Sequence, residues 1–549
     1  MNRNRVVLAV LIGSLGLASL ATAGSPDPER QIVVYKDAAR ARKTIEAAGG
    51  KVIRELGELD AFAVKVPARA LARLRADASI ALVEADAPRY PLSIQAPSPT
   101  GSQVRPWGTL AVNADPFHGD TEVPICIIDS GYAKPHEDLQ TKHVTASPDP
   151  GTGSPWTDAC GHGTHVAGTI SAFDDQIGVV GVNGNGEVPM HIVKVFGDDC
   201  AYAYSSDLAA AVGKCVTEGH ARIISMSLGG GTPSQVEKKA LDQALEKGVL
   251  SIAAAGNDGN SKKSYPAAYD SVMSVAAVDS ALDHAEFSQF NDDVEIAGPG
   301  VAVRSTYIKG KGTEVELEDI DDAYHLEAAP FVGSAEGDVT APMFRCNAVD
   351  GLGSPGDCAG AEGKLCLIER GEISFAFKVQ ECQRKGGVAA VIFNSSDALF
   401  TGTLEGQGVT IKIPAVSVAG NQAAYLEGAA GTEFQVRVLR NGNYEFLDGT
   451  SMATPHVSGV AAAVWSHDPS CKARDIRALL AFTAHDIDSP GRDVNTGYGL
   501  VDYAAALEKL DCDGKQEACT LGKSGAACTS MSECCSGTCQ SKNGKKTCR

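Results

Sequence analysis

Beyond its first two dozen residues the chain has no apolar run long enough to cross a membrane. Even the run from Val6 to Leu20 falls short of the ~20 residues that a spanning helix needs. It follows the basic start Met1-Asn2-Arg3-Asn4-Arg5 and precedes the small residues Ala21-Thr22-Ala23. That pattern marks 1–23 as a secretory signal peptide, cut near Ala23–Gly24, so a soluble, secreted, extracellular product is expected. A basic surface is lacking too: 48 Lys/Arg against 68 Asp/Glu give a net charge of −20. Residues 1–97 carry 14 Lys/Arg and 10 Asp/Glu, which leaves −24 on the remainder. An acidic body argues against nucleic acid as a partner and suits solubility, or calcium ligation by some carboxylates.

Cysteine, by contrast, is plentiful. Sixteen cysteines in an exported chain imply disulfides rather than a metal cluster. Six of them, Cys519, Cys528, Cys534, Cys535, Cys539 and Cys548, fall within thirty residues. A segment that small, 513–549, must be held by crosslinks, and six cysteines allow 15 connectivities. Upstream, Cys471 with Cys512 and Cys200 with Cys215 are expected pairs. Cys346, Cys358, Cys366 and Cys382 are expected to pair among themselves, and Cys126 and Cys160 are left open.

At 549 residues two to four domains are expected. Residues 24–97 read as a small α+β unit: strands at Gln31–Tyr35, Lys51–Leu56, Ala61–Val66 and Ile80–Glu84, helices at Ala38–Ala48 and Ala68–Asp77. Pro88–Thr100 reads as a Pro/Ser/Gln linker. Residues 98–510 alternate apolar strands (Val123–Ile128, His191–Val195, Ile223–Met226, Val249–Ala254) with helical stretches (Ser205–Glu218, Gln235–Lys247). This predicts an α/β domain with a parallel sheet covered on both faces. Residues 311–442 are extra, β-rich material within it.

Three words carry the chemistry: Ile128-Asp129-Ser130-Gly131, Gly161-His162-Gly163-Thr164-His165 and Gly449-Thr450-Ser451-Met452-Ala453-Thr454-Pro455-His456. A serine hydroxyl is a poor nucleophile until an imidazole takes its proton, and the imidazole needs a carboxylate to fix its tautomer. Asp129 is expected at a strand end, His162 at a helix start and Ser451 before an apolar helix, with Pro455 in that helix's first turn. His165 is a rival base, but it reads as a packed helix residue. With no Glu between the histidines and no third ligand, a zinc site is disfavoured.

These words, in the order Asp, His, Ser, resemble those of the subtilisin-like serine proteases. The resemblance implies that Asp129 orients, His162 acts as base and Ser451 attacks. Small Gly163 would let substrate and Ser451 approach His162. Asn257 and the backbone N–H at Ser451 would hold the oxyanion. Ser227, Leu228, Gly229 and Gly230 would pair with substrate backbone, while Ala254, Gly256 and Ser264 would shape the pocket; small Ser264 would leave room for large apolar side chains, and Lys262 and Lys263 would favour acidic ones instead. It also implies that 24–97 is an inhibitory propeptide, that 311–442 is similar to a protease-associated domain, and that 513–549 is similar to a cystine-knot module. That module would carry the pairs Cys519–Cys535, Cys528–Cys539 and Cys534–Cys548. No cofactor is needed for the chemistry; structural calcium is an expectation without assigned ligands. Protein and peptide substrates and a monomeric enzyme are expected. A processing protease of restricted specificity is the second reading, set back because no acidic run flanks Ser227 or Asn257. An inert protease-fold binding protein is the third.

Overall fold

The structure, a computed structural model, describes residues 27, 29–92, 94–96, 103–114, 122–346, 358–371, 373–405 and 408–512, and a hairpin at 539–542 and 545–548. The signal-like segment 1–23 and the pairing of the last six cysteines lie outside the described residues.

The N-terminal unit holds β1 (Arg30–Tyr35), α1 (Ala38–Ala47), β2 (Lys51–Leu56), β3 (Ala61–Lys65), α2 (Leu71–Arg75) and β4 (Ile80–Ala85). Its sheet is antiparallel with strand order β2-β3-β1-β4. The described part of the stretch read as a linker forms two strands, β5 (Pro88–Pro91) and β6 (Ile94–Ala96). Proline is tolerated in β5 because Pro88 and Pro91 stand at its two ends.

The second unit opens with α3 (Trp107–Ala111), β7 (Ile125–Asp129), β8 (Val144–Pro148), α4 (His162–Ser171), β9 (Met190–Lys194), β10 (Ala203–Tyr204) and α5 (Ser205–Thr217). It continues with β11 (Ile223–Met226), β12 (Leu228–Gly229), α6 (Gln235–Glu246), β13 (Leu250–Ala254), β14 (Val272–Val278) and β15 (Val294–Pro299). Seven of these strands form one parallel sheet in the order β15-β14-β13-β11-β7-β9-β8. Alternate residues on β7 face opposite ways, as the strand period requires. Ile125 and Ile127 join the core under α4, while Cys126 and Ile128 join the core under α5 and α6. That second core also takes in Ile32, Leu56, Leu59 and Ala61 of the N-terminal unit. Each Ile or Leu buried at that seam contributes about 1.5–3 kcal/mol.

After β16 (Val303–Thr306), residues 312–442 build a separate eight-stranded sheet. It comprises β17 (Gly312–Asp319), β18 (Tyr324–His325), β19 (Ala328–Pro330), β20 (Gly337–Arg345), β21 (Leu365–Glu369), β22 (Ala389–Phe393), β23 (Ala415–Val418) and β24 (Glu433–Gly442), with α7 (Phe375–Arg384) and α8 (Ala423–Gly428). The chain returns through β25 (Tyr444–Asp448) to α9 (Thr450–His467), α10 (Ala473–Thr483) and α11 (Tyr503–Glu508). β26 (Cys539–Lys542) and β27 (Lys545–Cys548) pair as an antiparallel hairpin.

The disulfides correct one expected pair. Cys200 does not join Cys215: Cys126 bonds Cys215 and Cys160 bonds Cys200. Cys126 points from β7 at the helix covering it, and Cys215 lies on that helix, α5; their Cα atoms are 5.5 Å apart. Cys346–Cys358, Cys366–Cys382 and Cys471–Cys512 complete the bonds among the described residues.

Candidate active site

The site lies at the carboxyl ends of the parallel strands, where helix starts and strand ends converge. Asp129 is the last residue of β7 and His162 the first of α4. The imidazole Nδ1–H donates to Asp129 Oδ1 at 2.7 Å, and both side chains are buried. Burial works against the imidazolium, but the adjacent Asp129 carboxylate outweighs it, so the pKa of His162 is raised. His165 is set apart. Its ring faces the backbone carbonyls of Val303 and Glu445 at 3.0 Å, and burial, then His162, pushes its pKa down to about 3.

Gly163 is also required by the packing around it. A Cβ there would strike the Gly131 carbonyl oxygen and come within 3.2 Å of Asp129 Cβ. Its smallness lets α4 seat against the end of β7. Asp158, which sequence reasoning missed, fixes the same junction. Its carboxylate accepts from Ser130 Oγ (2.8 Å), Gly161 N (2.9 Å) and Thr164 N (2.8 Å). An Asp shortly before a helix was the available signal.

Ser451 sits inside α9, one residue after its start, and Pro455 therefore falls beyond the first turn. The Ser451 hydroxyl donates to the Ser227 carbonyl at 2.9 Å, and His162 Nε2 has no hydrogen-bond partner among the described residues. Asn257 is held by Thr450, whose N–H and hydroxyl donate to its Oδ1 at 2.9 and 2.8 Å. Its Nδ2 is thereby free to point at Leu92, whose carbonyl oxygen it reaches at 2.8 Å.

Leu92 reaches that position because β5 lies between two strands as a third. Pro91 and Tyr90 pair antiparallel with Leu228 and Gly229 of β12, and Arg89 and Pro88 with Ala203 and Tyr204 of β10. Leu92 N donates to the Ser227 carbonyl and Ser451 N to the Leu92 carbonyl, each at 3.4 Å. The Leu92 side chain lies at Gly229, where an added Cβ would meet Leu92 Cδ1 at 3.1 Å and collide with Ser264 Oγ. On the other side of residue 93, β6 pairs with β25. Gly256 and Ala254 are buried just before Asn257. Lys263 is engaged by Asp293, so it does not stand ready for an acidic substrate.

Together, an Asp–His pair, a serine at a helix start and an amide aimed at a peptide carbonyl form an acyl-transfer arrangement. The model of the subtilase family matches residues 120–327 and 352–499, which hold all four residues. The chain belongs to the subtilase family. It is 32% identical over 305 residues to Subtilisin J of Geobacillus stearothermophilus, an alignment covering 52% of this chain and 76% of that one. Subtilisin BL of Lederbergia lenta is 40% identical over 210 residues, 38% of this chain and 76% of its own. Among solved structures, the psychrophilic subtilisin-like protease Apa1 of Pseudoalteromonas sp. AS-11 superposes with a TM-score of 0.71 at 38% identity. That match covers 76% of this chain and all of Apa1. The protein is thus a serine endopeptidase with a subtilisin-like α/β fold.

As for metals, three groupings among the described residues bring His, Cys, Asp or Glu side chains together in this subtilase. Two of them, Cys346/Cys358/Cys366 and Asp468/Cys471/Cys512, consist largely of disulfide cysteines. In the third, Glu316/Glu318/His325, Glu316 pairs with Arg437. None offers the all-oxygen set that calcium takes.

Proposed function

We propose that this subtilase is a secreted zymogen that cuts its own chain between Leu92 and Ser93 and then hydrolyses other proteins. One observation carries the reading. In the uncut chain the Leu92 carbonyl oxygen already accepts from Asn257 Nδ2, 2.8 Å away, with Ser451 N at 3.4 Å. In this reading Ser451 Oγ attacks the Leu92 carbonyl carbon and its proton passes to His162 Nε2. Asp129 holds the ring's tautomer and stabilises the imidazolium. To do this the hydroxyl leaves the Ser227 carbonyl and turns to His162, a tightening common between resting and reacting sites. The oxyanion is held by Asn257 Nδ2 and Ser451 N. Collapse breaks the C–N bond, His162 returns the proton to the Ser93 amine, and water then releases Leu92 from Ser451.

Until residues 29–92 depart, β5 fills the cleft in the manner of a substrate, which makes the N-terminal unit an inhibitor. Because β5 binds by main-chain pairing, affinity for most substrate positions depends little on side chains. The pattern of residues 1–23 and the five disulfides suit export. We further read residues 311–442 as a protease-associated module, 513–549 as a cystine-knot appendage, and the enzyme as a monomer.

The test is Ser451→Ala, which should accumulate as the uncut chain while the native enzyme matures to a product beginning at Ser93. Maturation of the purified mutant, or a native product beginning elsewhere, would refute self-cleavage at this bond.

A further inference from the structure

Arg89, on β5, stands three residues before Leu92, and its side chain is fully buried inside the second unit. Its guanidinium meets Glu237 in a two-point pair: Nε donates to Oε2 at 2.9 Å and Nη2 to Oε1 at 2.7 Å. Nη1 donates to the Pro88 carbonyl at 2.9 Å. Glu237, in the first turn of α6, is fully buried as well. Tyr269 borders the pair, its hydroxyl tied to Ser234 as donor to O and acceptor from N. On the near side is Gly230, where a Cβ would lie 2.5 Å from the Pro88 carbonyl oxygen and 3.3 Å from Arg89 Nη1. The space therefore suits a flat, long cation entering from an extended strand.

We propose that Glu237 is a specificity-determining residue, and that this subtilase prefers substrates with arginine at the fourth residue before the cleaved bond. The proposal rests on the reading of Leu92 as the residue whose carbonyl is attacked. Two facts set this pair apart from a surface tether of the N-terminal unit. The residue that supplies the cation lies on the strand occupying the substrate edge. The acid it meets belongs to the unit that remains after cleavage. When Arg89 leaves, Glu237 loses the cation to which both of its carboxylate oxygens are paired. A substrate arginine restores both hydrogen bonds, a lysine supplies one point charge, and leucine supplies nothing. The acid was missed in sequence because it stands ten residues after Ser227, on a helix rather than in the motif.

The experiment uses mature enzyme and four peptides that share leucine at the cleaved position and differ only three residues upstream, with Arg, Lys, Leu or Glu. We expect kcat/KM for the Arg peptide to exceed that for the Leu peptide by on the order of 10²-fold, as for removal of one partner of a buried pair. Lys should fall between them and Glu last. Equal values for Arg and Leu within about threefold would overturn the proposal, and this comparison needs no variant. Glu237→Gln combined with Arg89→Leu, so that the precursor holds no lone buried charge, should shrink the Arg/Leu ratio to within about threefold; an undiminished ratio would also overturn it. N-terminal sequencing separates the two readings. A mature chain not beginning at Ser93 removes the placement of Leu92, whereas a Ser93 start without arginine preference removes only the role of Glu237.

Discussion

The hydroxyl of Ser227 donates to the carbonyl of Ser451 at 2.7 Å, where the N–H of residue 455 would stand in an uninterrupted helix. Pro455 has no N–H to give, four residues after Ser451. The proline that frees the carbonyl and the serine that satisfies it form a unit. Ser227→Ala should therefore lower stability by about 1–3 kcal/mol, the range for a buried acceptor left unmet. Adding Pro455→Ala to that mutant returns a donor and should recover part of the loss. Urea unfolding of the two single mutants and the double mutant is the check; purely additive losses would disprove the link.

Asn257→Ala should reduce kcat by ~10²–10³-fold with little change in KM, a borrowed scale, since it is the one known for this donor in subtilisin. Thr450→Val, which removes the hydroxyl holding Asn257 Oδ1 at 2.8 Å, should move kcat in the same direction but less. Steady-state kinetics on a chromogenic peptide decide both. A change confined to KM would argue against transition-state stabilisation.

The pH profile follows from Asp129. Burial disfavours the His162 imidazolium, the carboxylate overrides it, and the folded pKa is raised. In the proposed mechanism His162 works as neutral imidazole, so kcat/KM should fall as pH drops through that raised value. The acid limb should then lie above the ordinary histidine value of ~6.5. Asp129→Asn should shift the limb downward as well as lower the rate. In stability the sign is reversed: the ion pair's contribution is complete below ~6.5 and is lost as pH rises through the folded pKa. A limb unmoved by Asp129→Asn would contradict the assignment.

Non-reducing peptide mapping should recover Cys126 linked to Cys215 and Cys160 linked to Cys200. Removing the first pair by a double alanine change should destabilise by about 4–5 kcal/mol on the chain-entropy account of a loop spanning 89 residues. A Cys200–Cys215 peptide would overturn the connectivity.

What the sequence made legible was local. Ile125–Asp129 and Leu250–Ala254 announce themselves as buried parallel strands through unbroken apolar runs, and their observed ends shift by only one or two residues. Asp129, His162, Asn257 and Ser451 each stand within a short motif, so no tertiary knowledge is needed to single them out. The remainder depends on contacts between distant segments. Cys126 meets Cys215 only because a helix covers a strand. Pro88–Thr100 has the composition of a linker, yet the backbone of Pro88–Pro91 within it pairs with two strand edges. Glu237 is an ordinary helix-start acid until Arg89 is laid against it.

Glu84 and Asp86 belong to the N-terminal unit but terminate helices of the other. Glu84 accepts from Gln235 N and Val236 N at the start of α6, at 2.9 and 3.1 Å. Asp86 accepts from Ser206 N at the start of α5, at 2.9 Å. Each cap of this kind contributes about 0.5–2 kcal/mol. If that unit departs as proposed, α5 loses Asp86, and α6 loses Glu84 but keeps Ser234, whose hydroxyl accepts from Glu237 N. The second core loses Ile32, Leu56, Leu59 and Ala61, while the disulfides among the described residues still crosslink the remainder. In that reading the form left behind lacks contacts that were present while it was assembled. Its working lifetime would then depend on the height of the unfolding barrier, because the segment that helped to assemble it is no longer attached.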